Sequence, residues 1–277
     1  METKELKRKA NDLRLKILDI CVRAGTGHLS SAFSATDILV SLFHTGVLRH
    51  DPKKPDWPDR DIFLLSKGHA APLLYAVLAD RGFIPLNDLE LFVTGNGIYG
   101  SHVQKEVPGA EISSGSLGHG PGIGAGFAHA AKLDDRDRMV YTLVGDGECY
   151  EGSIWESAMF AAHYGLDNLV CIVDRNNISC LNCTQNIIKL EPFKDKWESF
   201  GWDTYEVDGH DIGALTRLFN EIKAKKNGRP AVVIANTVKG KGISFIEGQI
   251  FWHGVIPKGE EVEKARKELE AIGRSLA

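Results

Sequence analysis

The feature that most restricts the fold of this sequence is a series of short apolar runs separated by segments of helical periodicity. DIFLLS (61–66), MVYTLV (139–144), NLVCIVD (168–174), WDTYEV (202–207) and PAVVIANTV (230–238) have the length and β-branched or aromatic content of strands. Residues 4–24 form an amphipathic pattern with Leu13, Ile17, Ile20 and Ala24 on one face, stopped by Gly25-Thr26-Gly27. Further helices are predicted over 35–44, over 69–81 with Gly82 as the stop, over 153–164, over 211–225 and over the charged stretch 258–275. Residues 115–133 read as a glycine-rich turn entering a helix that lies close against its neighbour. Strands alternating with helices pair in parallel and need helices on both faces. The predicted fold class is therefore α/β, a mainly parallel sheet with helices on both faces. No repeat, linker or low-complexity stretch divides it, so 1–277 reads as a single domain.

In open parallel sheets ligands sit at the carboxyl ends of the strands. Three such ends carry unusual residues: Ser66 to His69, Gly145-Asp146-Gly147, and Asn176. Asn176 lies thirty residues after Asp146, the spacing of two adjacent strands joined by a crossover helix. A carboxylate, an amide oxygen and a backbone carbonyl are suitable hard ligands for Mg²⁺, which joins protein carboxylates to phosphates. Gly145 and Gly147 let backbone approach a diphosphate closely. GDG alone would read as a tight turn after a strand. The second strand end with its Asn-Asn pair turns the balance toward a metal–diphosphate site.

Composition removes several alternatives. A net charge of −4 argues against a nucleic-acid binder, and the short basic run from Lys7 to Lys9 suits a solvated helix face. No apolar run approaches the roughly 20 residues that span a bilayer. The first residues, METKELKRKANDLRLKIL, lack the apolar core of a secretory signal, so the expected location is the cytoplasm. Cys21, Cys149, Cys171, Cys180 and Cys183 are an odd set, expected as free thiols. The Cys180/Cys183 pair alone falls short of the four ligands of a structural zinc site.

At these residues the chain resembles the transketolases. GDGECYEGSIWE (145–156) with DRNNIS (174–179) is similar to the thiamine-diphosphate signature. AGTGHLSSAFSATDIL (24–39), LLSKGHAAPLLYA (64–76), SGSLGHGPGIGAGFA (114–128), EVDGHD (206–211) and NTVKGKGISFIEG (236–248) with WHG (252–254) resemble further transketolase segments, in order and over nearly the whole chain. His119 stands where glutamine is common, and His28 and His102 have altered neighbours. The resemblance covers the first, diphosphate-binding domain of full-length transketolases and implies the N-terminal subunit of a split enzyme. It implies thiamine diphosphate and Mg²⁺ as cofactors, with Ca²⁺ or Mn²⁺ as substitutes.

By that resemblance Asp146, the Asn176 side chain and the Ile178 carbonyl would bind the metal, and Gly147 would offer its amide to the diphosphate. His69 would contact the diphosphate and face the reaction centre. Gly115 and Leu117 would lie near the pyrimidine. His28, His102 and His253 would surround the donor sugar's reacting carbons, where imidazole can move protons near neutral pH. Glu151 and Glu156 would link two cofactors across a subunit contact. The implied partner is a C-terminal transketolase subunit carrying the pyrimidine-binding domain, in a two-plus-two heterotetramer acting on sugars or sugar phosphates. The partner is expected on segment 114–126, the loop of His102 and the helix after Gly152, with Ile154 and Trp155 among the apolar contact groups.

Ten histidines are present. His44, His50, His129 and His163 read as structural, and His210 as the holder of a turn. Three rival readings share the site: the alpha chain of a 2-oxo acid dehydrogenase, an enzyme similar to deoxyxylulose-phosphate synthase, and a non-catalytic module that retains the cofactor site. The GTGH, EVDGHD and WHG segments favour transketolase over the first.

Overall fold

The computed structural model describes residues 2–95 and 97–276. Three helices open the chain: α1 (Thr3–Ala24), α2 (Leu29–Ser34) and α3 (Thr36–Phe43). They are followed by β1 (Ile62–Leu65), α4 (Ala71–Arg81), α5 (Gly120–Leu133), β2 (Val140–Gly145), α6 (Gly152–His163) and β3 (Leu169–Arg175). Then come α7 (Thr184–Ile187), α8 (Phe193–Ser199), β4 (Asp203–Asp208), α9 (Ile212–Ala224), β5 (Ala231–Asn236) and α10 (Glu260–Ser275). The strands form one sheet in the order β1-β2-β3-β5-β4, and every pairing is parallel.

Strand side chains divide by parity between two apolar layers, as a period of two requires. Phe63, Leu65, Tyr141, Leu143, Ile172 and Val233 point into the layer built from α1 to α4, α9 and α10. Ile62, Leu64, Val140, Val144, Cys171 and Ile234 point into the layer of α5, α6 and α8. From β1 to β4 the chain advances across the sheet under α5, α6 and α8. It then steps back to β5 through α9 on the opposite face, the change of side that right-handed crossovers demand.

Sequence periodicity located all five strands and the long helices. It missed α2, because Leu29 to Ser34 are buried on every side and carry no amphipathic stripe. The helix expected over 35–44 is α3, entered from α2 through Ala35. α8 was also missed; its apolar face is only Phe193 and Trp197, one turn apart in a charged segment.

α5 does lie close against its neighbour. A Cβ on Gly124 would stand 2.6 Å from Thr142 Oγ1 in β2 and 3.3 Å from Leu169 Cδ1 in β3. Replacing Gly124 by Leu overpacks this contact and is expected to cost about 1–3 kcal/mol, read as a lower midpoint in urea unfolding. An unchanged midpoint would mean that the helix is free to lift from the sheet.

Candidate active site

The register of β2 on β3 sets Gly145 beside Asp174 and brings the two strand exits together. Asp146 is buried there, and both its oxygens accept backbone N–H groups: Gly147 at 2.7 Å and Asn177 at 2.6 Å. Asn177 has φ +61°, and asparagine tolerates this left-handed conformation better than most residues. The turn at Asn177 lets the Asn176 side-chain oxygen accept from Ile178 N at 3.2 Å. Burial, and then the negative charge of Asp174, push the Asp146 pKa up to about 6. Its hydrogen-bond partners are neutral amides, so a cation beside it would relieve that cost.

A cavity of about 310 Å³ opens over these strand ends. Asp146, Gly147, Asn176 and Ile178 line one side, and Gly115 and Leu117 lie on the glycine-rich edge. His28, His69, His102 and His253 line the cavity as well. The imidazoles form one cluster around His28, whose ring centroid is 5.0 Å from His69, 6.0 Å from His102 and 5.3 Å from His253. Ten of the twelve site residues expected from sequence thus share a single cavity. The other two, Glu151 and Glu156, are exposed at the start of α6 and do not line it. The Gly147 amide is engaged by Asp146, so Gly147 meets the cavity as bare backbone; a Cβ there would press on Ser179 Cβ at 3.2 Å.

Four charged residues at the site carry no assignment from the sequence reading. Lys67 is buried against Asp174 and also donates to Ser31 O at 3.0 Å. Burial raises the Asp174 pKa, but Lys67, Ser34 and Thr237 together hold it below the ordinary carboxylate range. Lys239 reaches the cavity wall, donating to Ile178 O at 3.1 Å and to His253 Nδ1 at 2.8 Å. Burial and the neighbouring Lys67 bring its pKa down to about 8. Glu148 accepts from Ser66 Oγ, from Gly118 N at 2.9 Å and from Gly145 N at 3.0 Å, tying three loops together. The available signal was position: each follows or ends an apolar strand. The sequence reading gave weight to the histidines beside them instead.

Burial and the neighbouring lysines together set the state of the histidines. An ammonium only donates, so His253 Nδ1 is an acceptor and the ring proton lies on Nε2. Burial, followed by Lys239 and His28, brings His253 down to about 3. Burial, then His102 and Lys239, brings His28 to about 4, and His28 Nδ1 is buried without a partner. His69 falls well below its ordinary value, by burial first and then by the charge of Lys67. These rings are neutral at pH 7, able both to accept and to donate protons.

The donor set also tests a metal. Among the described residues no group of three or more His, Cys, Asp or Glu side chains could hold an ion. A divalent cation would instead rest on one carboxylate, an amide oxygen, a carbonyl and the oxygens of a bound anion. Asp146, Asn176 and the Ile178 carbonyl fit that pattern of hard ligands, and Lys239 adds positive charge toward the anion.

Residues 6–272 match the family described as the thiamine diphosphate-binding domain of transketolase. The chain is 43% identical over 268 residues to one of the subunits of apulose-4-phosphate transketolase from Actinobacillus succinogenes, covering 96% of each chain. It is 37% identical to a 6-deoxy-6-sulfo-D-fructose transketolase subunit of Clostridium sp., covering 97% of this chain and 98% of that one. The crystal structure of transketolase from Campylobacter jejuni superposes with a TM-score of 0.91 at 32% identity, over 100% of this chain and 46% of that one. The chain therefore spans about half the length of that solved relative.

Neutral burial of imidazoles makes the fold acid-sensitive. A histidine whose folded pKa is depressed binds fewer protons folded than unfolded, so stability is full above about pH 6.5 and falls as pH drops toward the folded value. For His28 and His253 that window runs from 6.5 down to about 4 and about 3. A double variant, His28→Gln with His253→Gln, is expected to lose less melting temperature than the wild type between pH 7 and pH 4. Parallel loss in both proteins would show that these rings are not held neutral.

Proposed function

The chain belongs to the transketolase thiamine diphosphate-binding domain family, and on that premise we propose that it is the diphosphate-binding subunit of a two-component transketolase. The enzyme moves a two-carbon ketol unit reversibly from a ketose to an aldose, both of the sugar-phosphate class, in the cytoplasm. The observation that carries this reading is the meeting of four clustered histidines with the Asp146–Asn176–Ile178 loop in one cavity.

When bound, thiamine diphosphate supplies the electron sink for cleavage of the sugar's carbon–carbon bond. Asp146, the Asn176 side chain and the Ile178 carbonyl hold Mg²⁺, and Ca²⁺ or Mn²⁺ can replace it. Lys239 and the Gly147 backbone face the diphosphate, with His69 beside them. Gly115 and Leu117 border the pyrimidine. His28, His102 and His253 hold and pass protons at the sugar hydroxyls. The neutral state of His28 and His253 suits this, because each ring offers both a lone pair and a proton.

The pyrimidine-binding half comes, in this reading, from a separate polypeptide, and the whole chain is one domain of a two-plus-two assembly. Support comes from the relatives that are themselves named as transketolase subunits, whose lengths this chain matches almost fully. A surface suited to a partner lies on α5 and α6. Ile123 on α5 is 39% exposed, and Met159, Phe160 and Tyr164 at the end of α6 are 54%, 40% and 47% exposed. The expected contact groups need correction here. Ile154 is wholly buried beneath α6 and Trp155 stacks inward on Phe200 at 5.4 Å, so the outward apolar face is formed by Met159 and Phe160 instead. Glu151, just before the same helix, and Glu156 on it lie exposed, where a contact between subunits would cover them.

Two measurements test the reading. Asp146→Ala is expected to abolish Mg²⁺-dependent binding of thiamine diphosphate in a calorimetric titration of the reconstituted enzyme, since the neighbouring carboxylates are already engaged, Glu148 by Ser66, Gly118 and Gly145 and Asp174 by Lys67. Retained binding would move the metal elsewhere. In a ketol-transfer assay the chain should be inactive alone and active once the pyrimidine-domain partner is added; with that partner, His28→Ala should keep the cofactor and lose about 100- to 10,000-fold in turnover. Full activity of the chain by itself would end the two-component reading.

A further inference from the structure

The segment that carries Lys239 leaves β5 with its backbone donors tied to three different parts of the fold. Thr237 N donates to Arg175 O at 3.0 Å, and Gly240 N to Ser30 O at 3.0 Å. Between them Val238 N donates to an imidazole, His210 Nε2, at 2.8 Å. A backbone N–H is an obligatory donor, so Nε2 holds the lone pair and the ring proton is on Nδ1. Nδ1 stands 2.7 Å from Asp37 Oδ2. Asp37 is buried and takes Arg14 Nη2 on the same oxygen at 2.5 Å, while Arg14 is itself anchored on Phe33 O at 3.0 Å. A line of polar contacts thus runs from α1 through α3 to the turn before α9, and ends one residue short of the lysine that touches Ile178 O and His253. His210 does not line the cavity.

We propose that His210 is a positioning residue for the cofactor site. Its ring, fixed as the Nδ1–H tautomer by Asp37 and Arg14, clamps the Val238 amide and thereby sets the Lys239 ammonium between the metal-binding loop and His253. Without the ring, Val238 N–H loses its acceptor, and the Lys239 backbone is held only from its flanks. The inference rests on the reading of the cavity as a metal–diphosphate site.

The test compares two substitutions that resemble different halves of the ring. Glutamine carries an amide oxygen out to the place of Nε2 and restores the acceptor for Val238. Asparagine reaches only the place of Nδ1, keeping the contact to Asp37 and leaving Val238 unpaired. Mg²⁺-thiamine diphosphate is titrated calorimetrically into the chain combined with its pyrimidine-domain partner, as wild type, His210→Gln and His210→Asn, with thermal unfolding of each measured alongside. His210→Asn is expected to bind roughly 10-fold more weakly, the loss of about one hydrogen bond, and His210→Gln close to the wild type, without a matching difference in melting temperature. Equal affinities in all three proteins, or affinities that simply follow melting temperature, would overturn the positioning role. Failure of the wild type itself to bind would overturn the reading of the cavity, and that outcome is distinct from both.

Discussion

Everything at the cavity depends on how four buried charges are paired beneath it. Asp174 and Lys67 are 0% and 2% exposed, far from the solvent that would otherwise stabilise each, and they neutralise one another. Removing one partner of such a pair leaves the other unpaired at a cost of about 3–5 kcal/mol. The parallel sheet creates the situation: Asp174 ends the central strand, flanked in register by Gly145 and Ala235. The other two charges are left without a full counterpart. Asp146 is displaced upward in pKa and Lys239 downward. The first shift favours an added cation, the second an added anion. A metal–diphosphate ion pair meets both demands at once, and that is the physical content of the proposed cofactor site.

The same lysines govern the proton chemistry above them. Imidazoles in water are partly protonated near pH 6.5. Here burial and the nearby ammonium groups strip that charge from His28, His69 and His253. A neutral ring can take a proton from a hydroxyl or present one to a carbonyl, whereas an imidazolium can only donate. A bound diphosphate and metal would change the local field, but the rings begin from the state that keeps both options open.

Most of the sheet was legible because its strands are apolar runs, and the Asp146–Asn176 loop because GDG and NN end two of them. His28, His69 and His253 were legible through their glycine neighbours, which put them in turns, and His102 only through the resemblance of its segment. Lys67, Asp174, Lys239 and Glu148 were not, because a charged residue at a strand end looks the same in sequence whether it faces solvent or a buried counter-charge. Only the register of β2 on β3 and the approach of Ser34 and Thr237 show that Asp174 is sealed in. Ile154 and Trp155 were misplaced for a related reason: α6 is apolar on more than one side, so sequence alone cannot say which side meets the core. His210 was read as the holder of a turn, and its neighbour Val238, distant in sequence, became visible only once β4 and β5 were paired.

The glycines of 115–124 explain how a distant contact could reach the reacting end of the site. Gly118 has φ +84°, and a Cβ there would lie 2.5 Å from Glu151 Cβ; a Cβ on Gly120 would lie 2.3 Å from Ser66 Cβ. The entry to α5 is therefore pressed against both the start of α6 and the end of β1, without room to slide. Glu148 then binds this entry to the exits of β1 and β2 through Gly118, Ser66 and Gly145. α5 and α6 also carry the outward apolar face of Ile123, Met159 and Phe160. A partner docked on that face would bear on helices with no slack toward the loop of Asp146. Docking and cavity geometry would thus be mechanically coupled through close backbone contacts, which accounts for glycine at positions where any side chain would push the two helices apart.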